Sequence, residues 1–420
     1  MPDQDFAAFI GLDWGDQSHA VCLSVGGQHV ATELAQKAED IEAWAADLRT
    51  RFGGRPIAVC LEQSRGALIY ALLKYEFLVL FPINPKQLAS YRDAFVPCGP
   101  KDDPSDAELA CRFLEQYHAR LRAWQPDDAS TRTLRLLSED RRRWVDERTA
   151  LKNRLRQRLK EYFPLALELA STDLDTDWFL TLLKKYPSHE ELRRANPKTL
   201  VKLFPKRSRV TDDEGEDARV AQVRSSSPLI TDQAVILTHR LDVLQIVTLI
   251  IQLNETVVEY DRTIARHMAQ HCDAELFQSF PGAGAAMAPR LAVAFGTDRE
   301  RFNSAQEVQQ LSGIAPVLKR SGKTSSVTRR LACPKFLHQT FHEYADYSRK
   351  KSSWAGAYYR MLKARGKGHH CVLRALAFKW QRIMYHCWKT RTPYDEARHL
   401  QQLQQRQSPL LAFLPQPKTP

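Results

Sequence analysis

The 420-residue chain reads as a mixed α/β domain followed by a mainly helical remainder, α/β plus all-α. Three observations predict this. Up to residue 117, short apolar β-rich runs alternate with stretches of helical spacing. From about residue 127 the apolar positions recur only every three or four residues. The charge also changes there: residues 132–160 hold eleven Lys/Arg against four Asp/Glu.

Residues 6–12 read as a buried strand. Residues 19–25 and 28–34 read as two more, joined by the hairpin pair Gly26-Gly27. Helical spacing follows at 38–52, a strand at 56–62, a helix at 66–75 and a strand at 77–83. A short helix at 86–94 and a longer one at 103–117 complete the domain. The order β-β-β-α-β-α-β-α-α fits a mixed sheet in the ribonuclease H-like arrangement, assigned to residues 1–126. That arrangement places the end of the first strand beside the end of the fourth, with a late helix facing both. Residues 127–270 read as a helical, coiled-coil region with long helices at 130–163 and 231–270, and a charged connector at 205–230. The 271–400 segment reads as a third domain, opened by a helix-hairpin-helix-like turn at Phe280-Pro281-Gly282-Ala283-Gly284. Residues 401–420, rich in Gln and Pro, read as a disordered tail.

Four carboxylates sit where this fold converges. Asp13 follows the first strand and Glu62 the fourth, and Asp103 and Asp106 lie three apart at the start of the late helix, on one face of it. Acids brought together are costly unless a cation lies between them, and an all-oxygen set suits a hard ion such as Mg²⁺, or Mn²⁺ in its place. Asp102 competes with Asp103, but the three-residue spacing to Asp106 favours Asp103.

The net charge of +12 points to a polyanionic partner. Residues 308–342 contain no acid at all, yet hold Lys319, Arg320, Lys323, Arg329 and Arg330. With Arg141, Arg142 and Arg143 on the first long helix, these are the candidate nucleic-acid contacts. Gly282, Gly284 and Gly322 are added as places where backbone amides can approach a phosphate. No apolar run reaches the ~20 residues of a membrane span, and Met-Pro-Asp-Gln-Asp at the start lacks a signal-peptide charge pattern. The expectation is a cytoplasmic protein with no membrane contact. Eight scattered cysteines without a Cys-x-x-Cys pair argue against zinc and disulfides, and read as reduced core residues. From residue chemistry alone Ser321 reads as a phosphate-binding hydroxyl. No His or Asp lies near it in sequence, and Ser325 and Ser326 compete with it.

Three blocks resemble a known family. They are Ile10-Gly11-Leu12-Asp13; Leu61-Glu62 with Asn84-Pro85 and Lys101-Asp102-Asp103-Pro104-Ser105-Asp106-Ala107; and Phe280-Pro281-Gly282, Gly313-Ile314-Ala315-Pro316 and Ser321-Gly322. Together they look like a bacterial DEDD-type insertion-sequence transposase, a relative of the Piv/MooV invertases. The resemblance implies a RuvC-like nuclease fold binding Mg²⁺ through Asp13, Glu62, Asp103 and Asp106. It also implies a C-terminal transposase domain with Ser321 as a covalent nucleophile, reversing the reading from residue chemistry. DNA and a structured guide RNA from the element are the implied partners. A homodimer or homotetramer is expected, because the reaction must hold two duplexes. The expected reaction is Mg²⁺-dependent strand cleavage and rejoining. The rival reading is a RuvC-like junction resolvase or nuclease that uses water, with Ser321 only touching phosphate.

Overall fold

The computed structural model describes residues 5–62, 66–95, 103–170, 172–205, 218–322 and 324–414. The chain divides into two compact units, Met1–Pro126 and Asp127–Pro420.

The first unit is built on five strands: β1 (Ala8–Asp13), β2 (Ser18–Val25), β3 (Gln28–Ala35), β4 (Ile57–Leu61) and β5 (Leu78–Pro82). Their order is β3-β2-β1-β4-β5, with β1 parallel to β4, β4 parallel to β5 and the β1-β2-β3 meander antiparallel. Gly26 and Gly27 both have positive φ, as a tight turn matching the strand twist requires. The sheet is covered by α1 (Ala38–Arg51), α2 (Ala67–Leu72), α3 (Pro85–Phe95) and α4 (Asp103–Tyr117). Strand alternation sorts the two faces. Ile10, Leu12, Val59 and Leu61 pack with Ile41 and Leu48 of α1 and Leu68 and Leu72 of α2. Ala58, Cys60 and Phe81 pack with Leu88 of α3 and Leu109 and Leu114 of α4.

The α4 face carries the close approach that shapes the site. A Cβ on Gly11 would lie 1.9 Å from the Ala107 carbonyl oxygen and 2.4 Å from the Cys111 amide nitrogen, both backbone atoms. Only glycine lets this helix lie directly on β1. Gly11→Ala should therefore destabilise the protein by about 3 kcal/mol or more, because the backbone of α4 must lift. Chemical denaturation measures it, and a change within 0.5 kcal/mol would mean that α4 does not sit on β1 in this way.

The second unit contains two long helices, α5 (Ala129–Tyr162) and α11 (Gln233–Ala269). They run antiparallel: Arg141 pairs with Asp261, Arg148 bonds Asn254, and Arg158 pairs with Asp242. Between them lie α6 (Pro164–Ala170), α7 (Asp177–Lys185), α8 (His189–Arg193), α9 (Pro197–Leu203) and α10 (Ala218–Ser225). The long helices join two cores. Leu155 and Leu159 of α5 and Val243 to Ile250 of α11 pack with the small helices. Leu134 of α5 and Ile264 and Met268 of α11 pack with the C-terminal elements. Those are α12 (Ala274–Gln278), α13 (Met287–Phe295), α14 (Ala305–Leu311), the hairpin β6 (Val317–Ser321) and β7 (Thr324–Thr328), α15 (Lys335–Lys351), α16 (Ser353–Ala364), α17 (His369–Thr390) and α18 (Glu396–Gln405). Trp354, Trp380 and Trp388 are fully buried there, so the aromatic stripe is core.

Several expectations need correction. The far part of the charged connector is α10, whose Val220 and Val223 enter the core; residues 206–217 lie outside the described residues. The tail is folded as far as residue 414: α18 ends at Gln405, Pro409–Phe413 forms a 3₁₀ turn, and Leu410 is buried. Gln-rich composition hid this, because the few apolar residues between the glutamines, Leu400, Leu403, Leu410, Phe413 and Leu414, pack on the core, and Arg360 donates to the Phe413 carbonyl. The serine motif is a β-hairpin inside an otherwise helical region. Of the described cysteines, Cys22, Cys60, Cys111 and Cys387 are buried, but Cys272 and Cys371 are exposed. Finally, α11 is long and apolar enough to cross a membrane by length and composition. One face packs on α5, while Leu237, Leu241 and Leu249 are exposed.

Candidate active site

Asp13 ends β1, and Glu62 follows β4 directly. The parallel register sets Leu12 beside Leu61, so the two acids leave adjacent strand ends together. Side-chain alternation puts Phe9, Gly11 and Asp13 on one face, with Ala58, Cys60 and Glu62 beside them. This is the face that α4 covers. Because Gly11 lets α4 sit close, its first turn reaches the strand ends, carrying Asp103 and Asp106. Asp106 is buried and Asp103 exposed.

Electrostatics ties the four into one cluster. The Asp13 carboxyl is pushed up to about 6, first by burial and then by the charges of Asp106, Glu62 and Asp103; the Trp14 amide opposes this by donating to it. The loop leaving Asp13 is fixed from below. A Cβ on Gly15 would lie 2.0 Å from the Ser18 carbonyl oxygen, and the Gly15 amide donates to Nδ1 of the buried His19 at 3.2 Å. Asp102 lies outside the described residues.

One cation at the cluster was not legible in the sequence. Arg92, near the end of α3, pairs with Asp106. No motif marks it, since it lies fourteen residues earlier on another helix. It offsets one of four negative charges and leaves three. The surplus of carboxylate oxygen, together with the raised Asp13, fits a hard divalent ion. Arg92→Gln should lower the stability of the metal-free protein by about 2–3 kcal/mol, because Asp106 is left buried among like charges. It should also tighten Mg²⁺ binding several-fold, since no guanidinium competes for Asp106. Titration calorimetry reads the second effect, and unchanged or weaker Mg²⁺ binding would show that Arg92 does not compete with the ion.

In the second unit Ser321 closes β6, paired with Thr324 of β7. Gly322, which follows it, has φ of +54°. Lys323 lies outside the described residues. Alternation puts Ser321, Lys319, Thr324 and Ser326 on one face of the hairpin and Arg320 and Ser325 on the other. All are exposed, and among the described residues nothing hydrogen-bonds the Ser321 hydroxyl.

The remaining candidates divide. Arg329 is exposed and Arg330 half-buried, and no acid pairs with either among the described residues. Arg141 grips Asp261 with two bonds of 2.6 and 3.0 Å, and Arg142 pairs with Glu343 at 3.1 Å and Asp146 at 2.5 Å. Both are therefore committed within the unit. Arg143 is exposed and contacts Asp140. Gly282, with φ of +85°, packs on the α15 backbone at Tyr347–Ser348, while Gly284 is exposed. His271, Cys272 and Asp273 lie close enough to suggest a metal trio. However, the His271 nitrogens are used by Thr131 and by the Asp273 amide, and Asp273 is paired with Arg299.

Two stretches of the chain match family models of known proteins. Residues 10–164, spanning all four acids, match the family model of the DEDD transposase of IS110, described as a transposase. Residues 274–360, spanning the hairpin, match the model described as transposase of the IS116/IS110/IS902 family. The chain belongs to the IS110 family of transposases. It is 27% identical to the Mini-circle putative transposase for IS117 of Streptomyces coelicolor, over 95% of this chain and 98% of that protein. It is 33% identical to the putative transposase y4uE of Sinorhizobium fredii, over 50% of this chain and 59% of that one. The insertion element IS110 43.6 kDa protein of S. coelicolor is 24% identical over 93% and 96%. As an IS110-family transposase the protein is an enzyme acting on DNA.

Proposed function

We propose that this transposase cuts and rejoins DNA strands at the ends of its own element, through a serine-linked intermediate and with Mg²⁺ held by a ribonuclease H-like unit. What carries the reading is the convergence of four carboxylates from two parallel strand ends and the first turn of α4, with Asp13 raised to about 6 by burial and by the charges of the other three. Asp13, Glu62, Asp103 and Asp106 would hold the ion, which when bound supplies positive charge to a phosphate. Arg92 offsets the Asp106 charge while no ion is bound, and His19 and Gly15 fix the loop behind Asp13.

The Ser321 oxygen attacks phosphorus and loses its proton. A phosphoserine ester forms, and the bond to one deoxyribose oxygen breaks, leaving that strand end as a hydroxyl. Attack of a new strand's hydroxyl on the ester reverses the step, so the bond is conserved without ATP. Lys319 shares the Ser321 face, where its charge offsets the phosphate. A structured RNA from the element chooses the sites, two or four copies hold the duplexes, and the reaction proceeds in the bacterial cytoplasm.

The test incubates purified protein with labelled element-end DNA and the RNA transcribed from its flank, with Mg²⁺ or with EDTA. Rejoined product and a protease-sensitive protein–DNA band should appear with Mg²⁺ alone. Cut ends without any adduct would support water as the nucleophile instead, and exchange in EDTA would remove the metal from the reading.

A further inference from the structure

A cavity of about 420 Å³ opens at the foot of the β6–β7 hairpin, between it and α16 and α17. Its volume falls within the roughly 300–1,000 Å³ that ligand-sized groups occupy. Ile314, Pro316, Val327, Tyr358 and Phe378 give it apolar and aromatic walls. Arg329, Arg374 and Lys379 also line it, and among the described residues no carboxylate does. Lys379 lies over the Tyr358 ring, 4.5 Å from its centroid.

Several arginines of the unit that are buried or half-buried have acids: Arg290 meets Glu343 at 2.6 Å, Arg299 meets Asp273 at 2.5 Å, and Arg301 meets Asp127 at 2.8 Å. Among the described residues no acid pairs with Arg329, Arg374 or Lys379. The charged neighbours add no negative charge: His342, His338, His369 and His370 gather near Arg374, and Arg382 acts on Lys379. Three unbalanced cations around an aromatic slot complement a ligand that joins a flat π-face to an anion.

We propose that the cavity takes an unpaired base of the DNA strand being cut, stacked among Phe378, Tyr358 and Val327, with flanking phosphates on Arg329 and Arg374. The inference rests on the strand-transfer reading above and names where that strand lies. DNA is the expected source because the cavity wall is the hairpin itself. Val327 and Thr328 are the last residues of β7, about 10–13 Å along the strand from Thr324, which pairs with Ser321. Stacking on aromatic walls tolerates any base, so the slot would fix the strand's path and leave sequence choice elsewhere.

Cys371 lines the cavity and is exposed, which gives a direct readout; Cys272 is exposed and outside it. Full-length protein is treated with N-ethylmaleimide, and modification of each cysteine is followed by mass spectrometry. The probes are a single-stranded thymidine oligonucleotide, an abasic strand of equal length and a uridine RNA, with binding followed by anisotropy in the same samples. The thymidine strand should slow Cys371 modification and leave Cys272 unchanged, whereas the abasic strand at equal occupancy should protect neither. Ala375→Trp, which fills the cavity from a half-buried position on α17, should weaken the thymidine strand about tenfold and leave the abasic strand unchanged. The proposal is overturned if the abasic strand protects equally, if bound DNA leaves Cys371 fully reactive, if only RNA protects, or if no strand binds. Strand exchange by the same preparation reports on the underlying reading, so exchange without protection defeats the cavity assignment alone.

Discussion

Asp13→Asn is expected to reduce strand exchange by about 10²–10³-fold or more, the scale on which loss of one charge-stabilising group acts. The same change should make the metal-free protein more stable. Asp13 is the member of the cluster whose carboxyl is pushed up to about 6, so its ionisation above that pH works against folding. The neutral amide keeps the shape and removes one of four like charges. Opposite signs for activity and metal-free stability are the mark of a site built to hold a cation. An ordinary structural acid would lose both together.

The pH dependence follows from the direction of the shift. The folded value lies above the unfolded one, so between pH 4 and 6 the folded protein binds more protons than the unfolded chain. Stability contributed by this group is present at low pH and lost as pH rises through about 6. In EDTA the wild-type melting temperature should therefore fall from pH 5 to pH 7.5, relative to Asp13→Asn. Mg²⁺ competes with the proton, so the rise in melting temperature on adding it should grow over the same interval. Thermal melts at four pH values, with and without Mg²⁺, measure both trends. A Mg²⁺ effect independent of pH would place the ion away from Asp13.

Much of this site was legible in the sequence, for a physical reason. Strand pairing and helix period are short-range patterns, so runs such as Phe9–Leu12 and Ile57–Leu61 fixed β1 and β4, and the three-residue spacing of Asp103 and Asp106 fixed a helix face. Gly11, two residues before Asp13, is what admits α4, a role its place in the first strand run did not reveal. What failed was whatever depends on partners distant in sequence. Arg92 meets Asp106 only because α3 and α4 pack on the same face of the sheet. Arg141 and Arg142 read as a basic face until α11 and α15 supplied Asp261 and Glu343. The hairpin was missed for the opposite reason. Leu318-Lys319-Arg320-Ser321 has almost no apolar face, because β6 and β7 are exposed and depend mainly on each other.

That exposure makes Ser321→Ala the cleanest substitution in the molecule. The hydroxyl has no hydrogen-bond partner among the described residues, so its removal should change stability by no more than about 0.5 kcal/mol. Rejoined product should nevertheless fall by about 10⁴-fold or more, as when other enzymes lose a serine nucleophile, and the protein–DNA adduct should vanish. Ser326 is the demanding control. It shares the Ser321 face two pairs along the hairpin, beside Lys319, whereas Ser325 points to the other face. A hydroxyl that merely touches phosphate could be replaced by either neighbour with modest loss. A nucleophile could not, because attack requires one oxygen in line with the bond that breaks. Ser326→Ala and Ser325→Ala should both retain the adduct, and mass spectrometry of the trapped species should place the phosphodeoxyribose on Ser321. An adduct mapped to Ser326 would move the chemistry along the same strand face. An adduct that survives all three substitutions would exclude the hairpin serines and return the hairpin to a role in holding DNA.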